Sequence, residues 1–237
     1  FVAVSQVARL SLDSEESVLW RRNRVPTLTV RADVAGAEAP DVTLALQPKI
    51  AAIAARLPIG YGIDTGGALE SSTKSQASIL AVMPLTLVAV LMLLMMQLQD
   101  VGKMVLVLLT APLGLIGVAA MLAAFRIPFG FVATLGVIAL AGMIVRNSVI
   151  LVVQIDEDVR AGRPLHDAIV ESAVRRMRPI TLTALAAILA MIPLTRSVFW
   201  GPMAWSIMGG LFVATLLTLL FLPALYAAWY RVPHAVR

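Results

Sequence analysis

The order of hydrophobic and polar residues divides the chain at about residue 75. Before this point apolar residues alternate with polar ones or recur at helical spacing, whereas after it they form long runs without charge. The first run, residues 77–96, contains no charged residue and is long enough for a helix to cross about 30 Å of hydrocarbon. The pattern predicts five membrane-spanning helices, at about 77–96, 104–125, 131–153, 179–194 and 204–229.

Residues 1–75 have the pattern of a small mixed α and β segment. Alternation over 27–32 predicts a half-buried strand, and helical spacing after a capping Asp41 predicts a helix that ends at Pro58. A second strand, in the Gly-rich stretch 57–67, would complete a βαβ-type unit. Such a unit is too small to bury a core alone. We therefore expect a partial α+β subdomain of a longer protein, followed by a transmembrane helical bundle at 76–237.

Basic residues are distributed unevenly between the two sides of the predicted spans. Cytoplasmic loops of membrane proteins carry an excess of Lys and Arg. One side has Arg126 and Arg196. The other side has Lys103, Arg160, Arg163, Arg175, Arg176, Arg178, Arg231 and Arg237. We therefore expect the chain in a bacterial inner membrane, with its C-terminus cytoplasmic and residues 1–75 periplasmic. Apolar and charged stripes over 164–177 predict a short helix on the cytoplasmic surface.

The composition excludes several classes of function. With 59% hydrophobic and 14% charged residues and a mean hydropathy of +0.89, the chain cannot be a soluble globular protein. The formal net charge of +5 lies between apolar runs, where it orients spans, so nucleic-acid binding is not indicated. There is no Cys and no HExxH, GxSxG, Walker A or GxGxxG motif, so we predict no enzyme, no metal site and no cofactor.

Arg146 is the exceptional residue, because it interrupts the third apolar run. A guanidinium at this depth costs about 2.5 to 3.5 kcal/mol to insert, unless it snorkels to the headgroups. No Asp or Glu lies between Asp100 and Asp156, so its counter-charge is expected on helices outside this chain. Such a pair could act as a proton relay, in which the carboxylate carries the proton and the permanently charged Arg146 responds to it.

Four polar residues could assist Arg146. Asn147 and Ser148 follow it directly, and Thr181 and Thr183 begin the fourth span. A hydroxyl there could bond to the guanidinium or pass a proton through water. The alternative for each Thr is a bond to the carbonyl four residues earlier in its own helix. Asn147 and Thr183 are the stronger candidates for a role in the relay.

Several long segments, in this order and spacing, resemble the end of RND-superfamily efflux pumps, most strongly the hydrophobe/amphiphile (multidrug) branch. These segments are AGMIVRNSVILV, RMRPITLTALAAI and FWGPMAWSIMGGLFVATLLTLLFLPALY, with LWRRNRVPTLTVRADV, LPIGYGIDTGG and APLGLIGVAAML upstream. The resemblance covers nearly the whole chain. It implies that residues 1–75 belong to a periplasmic porter domain and that the five spans are the eighth to twelfth helices of a twelve-helix protomer.

The resemblance also implies site residues. Arg146 and Asn147 stand where the family's proton relay has a basic residue, usually Lys, followed by Asn, and Thr183 stands at a functional Thr of the next helix. The Arg departs from the usual Lys and keeps its proton, so any proton would be carried by carboxylates alone.

By the same resemblance, the expected function is export of amphiphilic or hydrophobic compounds driven by the proton motive force. The implied assembly is a homotrimer that works with a periplasmic adaptor and an outer-membrane channel. Two alternatives stay open: an RND relative that exports lipid or metal ions, and a membrane scaffold or sensor of the same fold that transports nothing.

Overall fold

The computed structural model describes residues 2–8, 18–34 and 36–230. Arg231 and Arg237, two of the predicted cytoplasmic basic residues, lie outside these ranges. The chain divides into two units, Phe1–Ala35 and Gly36–Arg237. The second unit contains the long apolar helices and the candidate site.

The first unit contains a short helix and a β-hairpin. Helix α1 is Val4–Val7, and strands β1 (Arg21–Arg22) and β2 (Val25–Pro26) pair antiparallel. Asn23 and Arg24 form the turn with φ of 52° and 69°. Positive φ at both central residues is what a tight two-residue hairpin needs, and Asn tolerates it well.

The predicted strands at 27–32 and 57–67 are not formed. β1 and β2 are the strands of the described part of the chain, so the predicted βαβ-type unit is not shown by these residues. A strand requires a neighbouring backbone that supplies its hydrogen bonds. The Thr27 N–H donates to the Trp20 carbonyl at 2.8 Å, but within the described ranges no strand pairs with 28–32 or with 57–67. An alternating pattern identifies a segment that can form a strand, but the strand forms only where a second strand pairs with it.

The helix predicted after Asp41 is present as α2, Ala39–Ala54. It begins three residues early, because Pro40 is well suited to a first helical turn, and Asp41 lies inside that turn instead of capping it. None of its residues is buried. The structure therefore shows a helix here that contacts α3 without burying any residue, and it does not show a packed α+β subdomain.

Five helical segments in the described residues are long and apolar enough to cross a membrane. The first is α3, Ala68–Leu98, and the second comprises α4 (Val101–Thr110) and α5 (Leu113–Phe125). The others are α6 (Phe131–Arg160), α7 (Leu165–Met191) with a 3₁₀ turn at Ile192–Arg196, and α8 (Gly201–Trp229). This agrees with the prediction of a membrane helical bundle.

The helix predicted on the surface at 164–177 is not a separate element. Residues 165–191 form one continuous helix, α7, which includes Pro179. A proline inside a helix removes one backbone hydrogen bond but need not end the helix where neighbours pack against it. The amphipathic pattern of 164–177 and the apolar pattern that follows therefore belong to one helix whose two parts have different surroundings.

Helix α8 lies at the centre of the bundle and packs against α5, α6 and α7. Its closest approach is to α5, where a Cβ on Gly117 would collide with the carbonyl oxygen of Gly209. Helix α3 lies at the edge, with Leu94 and Leu98 as its buried residues. The bundle therefore has a packed centre at α8 and a largely open α3.

Candidate functional site

One stripe of α6 faces the bundle and another faces outward. The buried stripe contains Leu140, Ile144, Ser148, Leu151 and Ile155 at helical spacing. Arg146 lies off this stripe, and its side chain is exposed. Within the described ranges its guanidinium has no hydrogen bond and no ion pair. The structure therefore places a permanent positive charge on an open face in the middle of an apolar helix.

Asn147 points in a different direction from Arg146. It is partly buried and lies in a narrow, mostly apolar gap between α6, α7 and α8. Thr215 and Thr218 of α8 line the same gap, and Thr215 donates to the carbonyl of Leu211 at 2.6 Å. Asn147 thus faces the inside of the bundle.

The hydroxyls of α7 bond within their own helix. Thr181 Oγ1 donates to the Met177 carbonyl at 2.7 Å, and Thr183 Oγ1 donates to the Ile180 carbonyl at 2.9 Å. This is the alternative to a bond with the guanidinium. Thr183 is exposed, like Arg146. The structure does not bring Arg146, Asn147 and Thr183 into direct contact.

A buried hydroxyl pair, absent from the sequence-based candidates, lies next to these residues. Thr110 at the end of α4 and Ser148 of α6 are both fully buried, and their Oγ atoms are 2.7 Å apart. Ser148 had been considered only as a helper of Arg146. In the sequence, Pro112 two residues after Thr110 indicates a helix break in this apolar run, but nothing there indicates the partner of Thr110.

The acidic residues at the far end of α6 have other partners. Lys103 Nζ lies 2.6 Å from Asp156 Oδ2, with side chains that are 17% and 16% exposed. The Tyr226 hydroxyl donates to the other oxygen of Asp156 at 3.2 Å. This links α4, α6 and α8 at the end of the bundle where Lys103 lies, which we call the Lys103 end.

Asp100 and Tyr230 extend this set of contacts. The Asp100 carboxylate caps α4 by accepting from the backbone N–H of Gly102 at 2.7 Å. The Tyr230 hydroxyl donates to Asp100 at 3.2 Å. Burial, together with the Asp100 carboxylate, raises the pKa of Tyr230 to about 12, so its hydroxyl keeps its proton near neutral pH.

Asp158 is bound by α7 instead of by Arg146. Ser172 Oγ donates to it at 2.7 Å, and Arg175 lies 3.4 Å away. Arg175 and Arg163 also pair with Glu171. The hydrogen bond to Glu171 and the negative charge of Glu171 raise the pKa of Arg163 above its ordinary value.

Arg176 also binds across helices at this end. Its guanidinium donates to Gln154 at 2.7 Å, while its Nε is buried without a partner. Asp156, Asp158 and Glu171 of the Lys103 end are thus paired with basic residues of that end, and Arg146 is left unneutralised among the described residues. Among described residues, no three His, Asp or Glu side chains converge as metal ligands.

The fold and site define the class of protein as a multi-pass membrane helical bundle with an unneutralised charge on one apolar helix. The sequence profile of the AcrB/AcrD/AcrF family matches residues 1–229. The chain therefore belongs to the AcrB/AcrD/AcrF family and is part of an RND-superfamily transporter, as its segments had indicated.

Individual relatives carry names from two groups of efflux proteins. The chain is 29% identical to the cobalt-zinc-cadmium resistance protein CzcA of Cupriavidus metallidurans over 98% of its own length. It is 34% identical to the multidrug resistance protein MdtC of Erwinia amylovora over 51% of its length. The crystal structure of a heavy metal efflux pump matches 79% of the chain with a TM-score of 0.61 and 28% identity.

The chain spans only part of these proteins. It covers 22% of CzcA, 12% of MdtC and 19% of the pump in the crystal structure.

Proposed function

We propose that this chain is part of a proton-driven efflux transporter of the bacterial inner membrane, and that Arg146 belongs to its proton relay. The observation that carries the proposal is the position of Arg146, exposed on an apolar helix face without a counter-charge among the described residues. An unpaired guanidinium in hydrocarbon is too costly to leave exposed to lipid. A carboxylate from helices outside this chain would neutralise it.

The proposed relay uses protonation to make and break that ion pair. Arg146 stays positively charged throughout, because a guanidinium is not deprotonated in proteins. When the partner carboxyl is ionised the pair forms, and when the carboxyl takes up a proton the attraction ends and the helices are free to shift. Thr183 is exposed as Arg146 is and could orient water near the pair. Asn147 would support α6 from the gap beside α8.

Two substrate classes have support. The branch suggested by the sequence segments, and the likeness to MdtC, favour amphiphilic or hydrophobic compounds. The likeness to CzcA extends over nearly the whole chain, and the matched crystal structure is that of a heavy metal efflux pump, which favours divalent metal ions. We therefore propose an exporter of one of these classes and test both in one host.

The proposed assembly and orientation follow the family. A homotrimer with a periplasmic adaptor and an outer-membrane channel would complete the export path. Residues 1–75 would be periplasmic, and the Lys103 end would be cytoplasmic, because most basic loop residues lie there.

Arg146→Met in the full-length transporter should abolish export at unchanged membrane abundance, because the carboxylate loses the charge that responds to its protonation. The assay measures dye accumulation and tolerance of Co²⁺, Zn²⁺ and Cd²⁺ in a host without its own efflux pumps. Whichever of these substrates the wild type exports identifies the substrate class.

Arg196→Met is the matched control, because Arg196 is also exposed but lies at the end of the 3₁₀ turn. It should export like the wild type. Unchanged export by Arg146→Met would instead support the scaffold or sensor alternative.

A further inference from the structure

The second apolar segment is interrupted at Ala111 and Pro112, where α4 ends and α5 begins. Pro112 has no N–H to donate to the carbonyl of Leu108. The Ala111 N–H takes that place, with a bond of 3.1 Å to Leu108. In a regular helix the same N–H would have gone to Val107. The proline therefore deprives the Val107 carbonyl of its usual donor.

Thr110 supplies the missing donor. Its Oγ1 lies 2.6 Å from the Val107 carbonyl oxygen, which can only accept. A hydroxyl has a single proton, so Thr110 has none left for Ser148. In the contact of 2.7 Å between the two hydroxyls, Ser148 is the donor and Thr110 the acceptor. A directed chain thus runs from Ser148 through Thr110 to Val107.

This chain joins the helix break to the helix that carries Arg146. Arg146 and Ser148 are two residues apart, which is about 200° around a helix of 3.6 residues per turn. Ser148 accordingly lies against α4 while Arg146 lies on the open face. The bond from Ser148 fixes the rotation and height of α6, and with them the position of the guanidinium.

The apolar packing between α4 and α6 cannot fix the position of Arg146 by itself. It consists of buried apolar residues of the two helices, among them Leu106, Val107, Leu151 and Val152. Apolar packing is not directional, whereas a hydrogen bond between buried hydroxyls is satisfied at one register only. A slide of α6 along α4 would leave the Ser148 hydroxyl without a partner in an apolar interior, while Thr110 would keep its bond to Val107.

We propose that Thr110 and Ser148 are a positioning pair that holds Arg146 in place for its ion pair. This proposal rests on the proposed relay function of Arg146. It assigns no proton transfer to the two hydroxyls. Its consequence is that loss of the pair alters the strength of the ion pair instead of removing it.

The test measures export by the full-length transporter as a function of pH, in the wild type, Ser148→Ala and Thr110→Val. A nearby opposite charge lowers the pKa of a carboxyl, so a misplaced Arg146 raises the pKa of its partner. We expect the midpoint of the pH profile to move upward by about 0.5 to 1 unit. Thr110→Ser, which keeps the hydroxyl, should restore the wild-type midpoint.

Two further variants separate positioning from general stability. Ser206→Ala is the matched control, because Ser206 is fully buried but bonds to the Pro202 carbonyl of its own helix. It should leave the midpoint unchanged. The double variant Thr110→Val with Ser148→Ala should shift the midpoint no more than either single change, because the two residues act as one unit. Because the double variant removes both hydroxyls, it leaves no unpaired hydroxyl in the interior. It can therefore be measured if one of the single variants folds poorly.

The outcomes distinguish this proposal from the proposed function. If Arg146→Met abolishes export but the hydroxyl variants keep the wild-type midpoint, the positioning pair is wrong and the relay stands. If Arg146→Met exports normally, the relay itself is wrong. An equal shift in Ser206→Ala would also overturn the positioning role, since any buried hydroxyl would then have the same effect.

Discussion

At the scale of single residues, the acidic groups near the Lys103 end are committed to local partners. Asp156 binds both Lys103 and Tyr226, while the adjacent Glu157 is exposed. A charge that loses its only close partner in a mostly buried site destabilises the fold, whereas an exposed ion pair contributes little. The same carboxylates therefore stabilise the end of the bundle and are unavailable to Arg146.

Asp156→Asn should lower the stability of the solubilised transporter by about 1 to 2 kcal/mol, because Lys103 is left without its counter-charge. The measurement is the temperature at which the protein loses its monodisperse peak in size-exclusion chromatography. Glu157→Gln is the control and should change this temperature little. Equal effects of the two variants would show that the Lys103 pair is not stabilising.

The sequence indicates Arg146 and its neighbours Asn147 and Ser148, but not the bond of Ser148 to Thr110. A charged residue in an apolar run is easy to recognise, because placing its charge inside the membrane costs much free energy whichever way the side chain points. The Thr110–Ser148 bond was not predictable, because a hydroxyl in an apolar run has the same sequence pattern whether it bonds to its own helix or to another. The helix-internal bonds of Thr181 and Thr183 had been foreseen as an alternative.

At the scale of helices, the tightest contact is between α5 and α8. A Cβ on Gly117 would collide with the backbone of Gly209, and a backbone carbonyl cannot move aside as a flexible side chain can. Close approach of helices at small residues is a main source of packing between membrane helices. The central position of α8 therefore depends on these two glycines.

Gly117→Ala should destabilise the transporter by about 1 to 3 kcal/mol through overpacking. Gly142→Ala in α6 is the matched control, because a Cβ there would meet nothing within 4 Å. Since Ala favours a helix over Gly, this control should be neutral or slightly stabilising. Thermal stability and membrane abundance report both changes. A tolerated Gly117→Ala would refute the close α5–α8 contact.

The helices were predictable and the strands were not, for a physical reason. A spanning helix satisfies its backbone within the segment, so a long apolar run suffices to predict it. A strand depends on another strand, and in the described ranges no strand pairs with residues 28–32 or 57–67. Residues 165–177 and the fourth span form one continuous helix. An amphipathic pattern therefore indicates which faces of a helix meet water and does not show where the helix ends.

At the scale of the whole molecule, the chain is part of a larger transporter and its open faces should be covered by the rest. The chain spans about a fifth of CzcA, namely 22%. Arg146 and much of α3 are exposed in the structure. We expect other helices of the transporter to cover the Arg146 face and to supply its carboxylate.

Proton flux in liposomes that contain the full-length transporter is the most direct test of this account. An imposed substrate gradient should drive protons across the membrane in the wild type, and a pH-sensitive dye would record the flux. Arg146→Met should show no substrate-dependent flux, and Arg146→Lys should retain it, because a positive charge at this position is what the relay requires. Substrate-dependent flux of wild-type size in Arg146→Met would contradict the central claim.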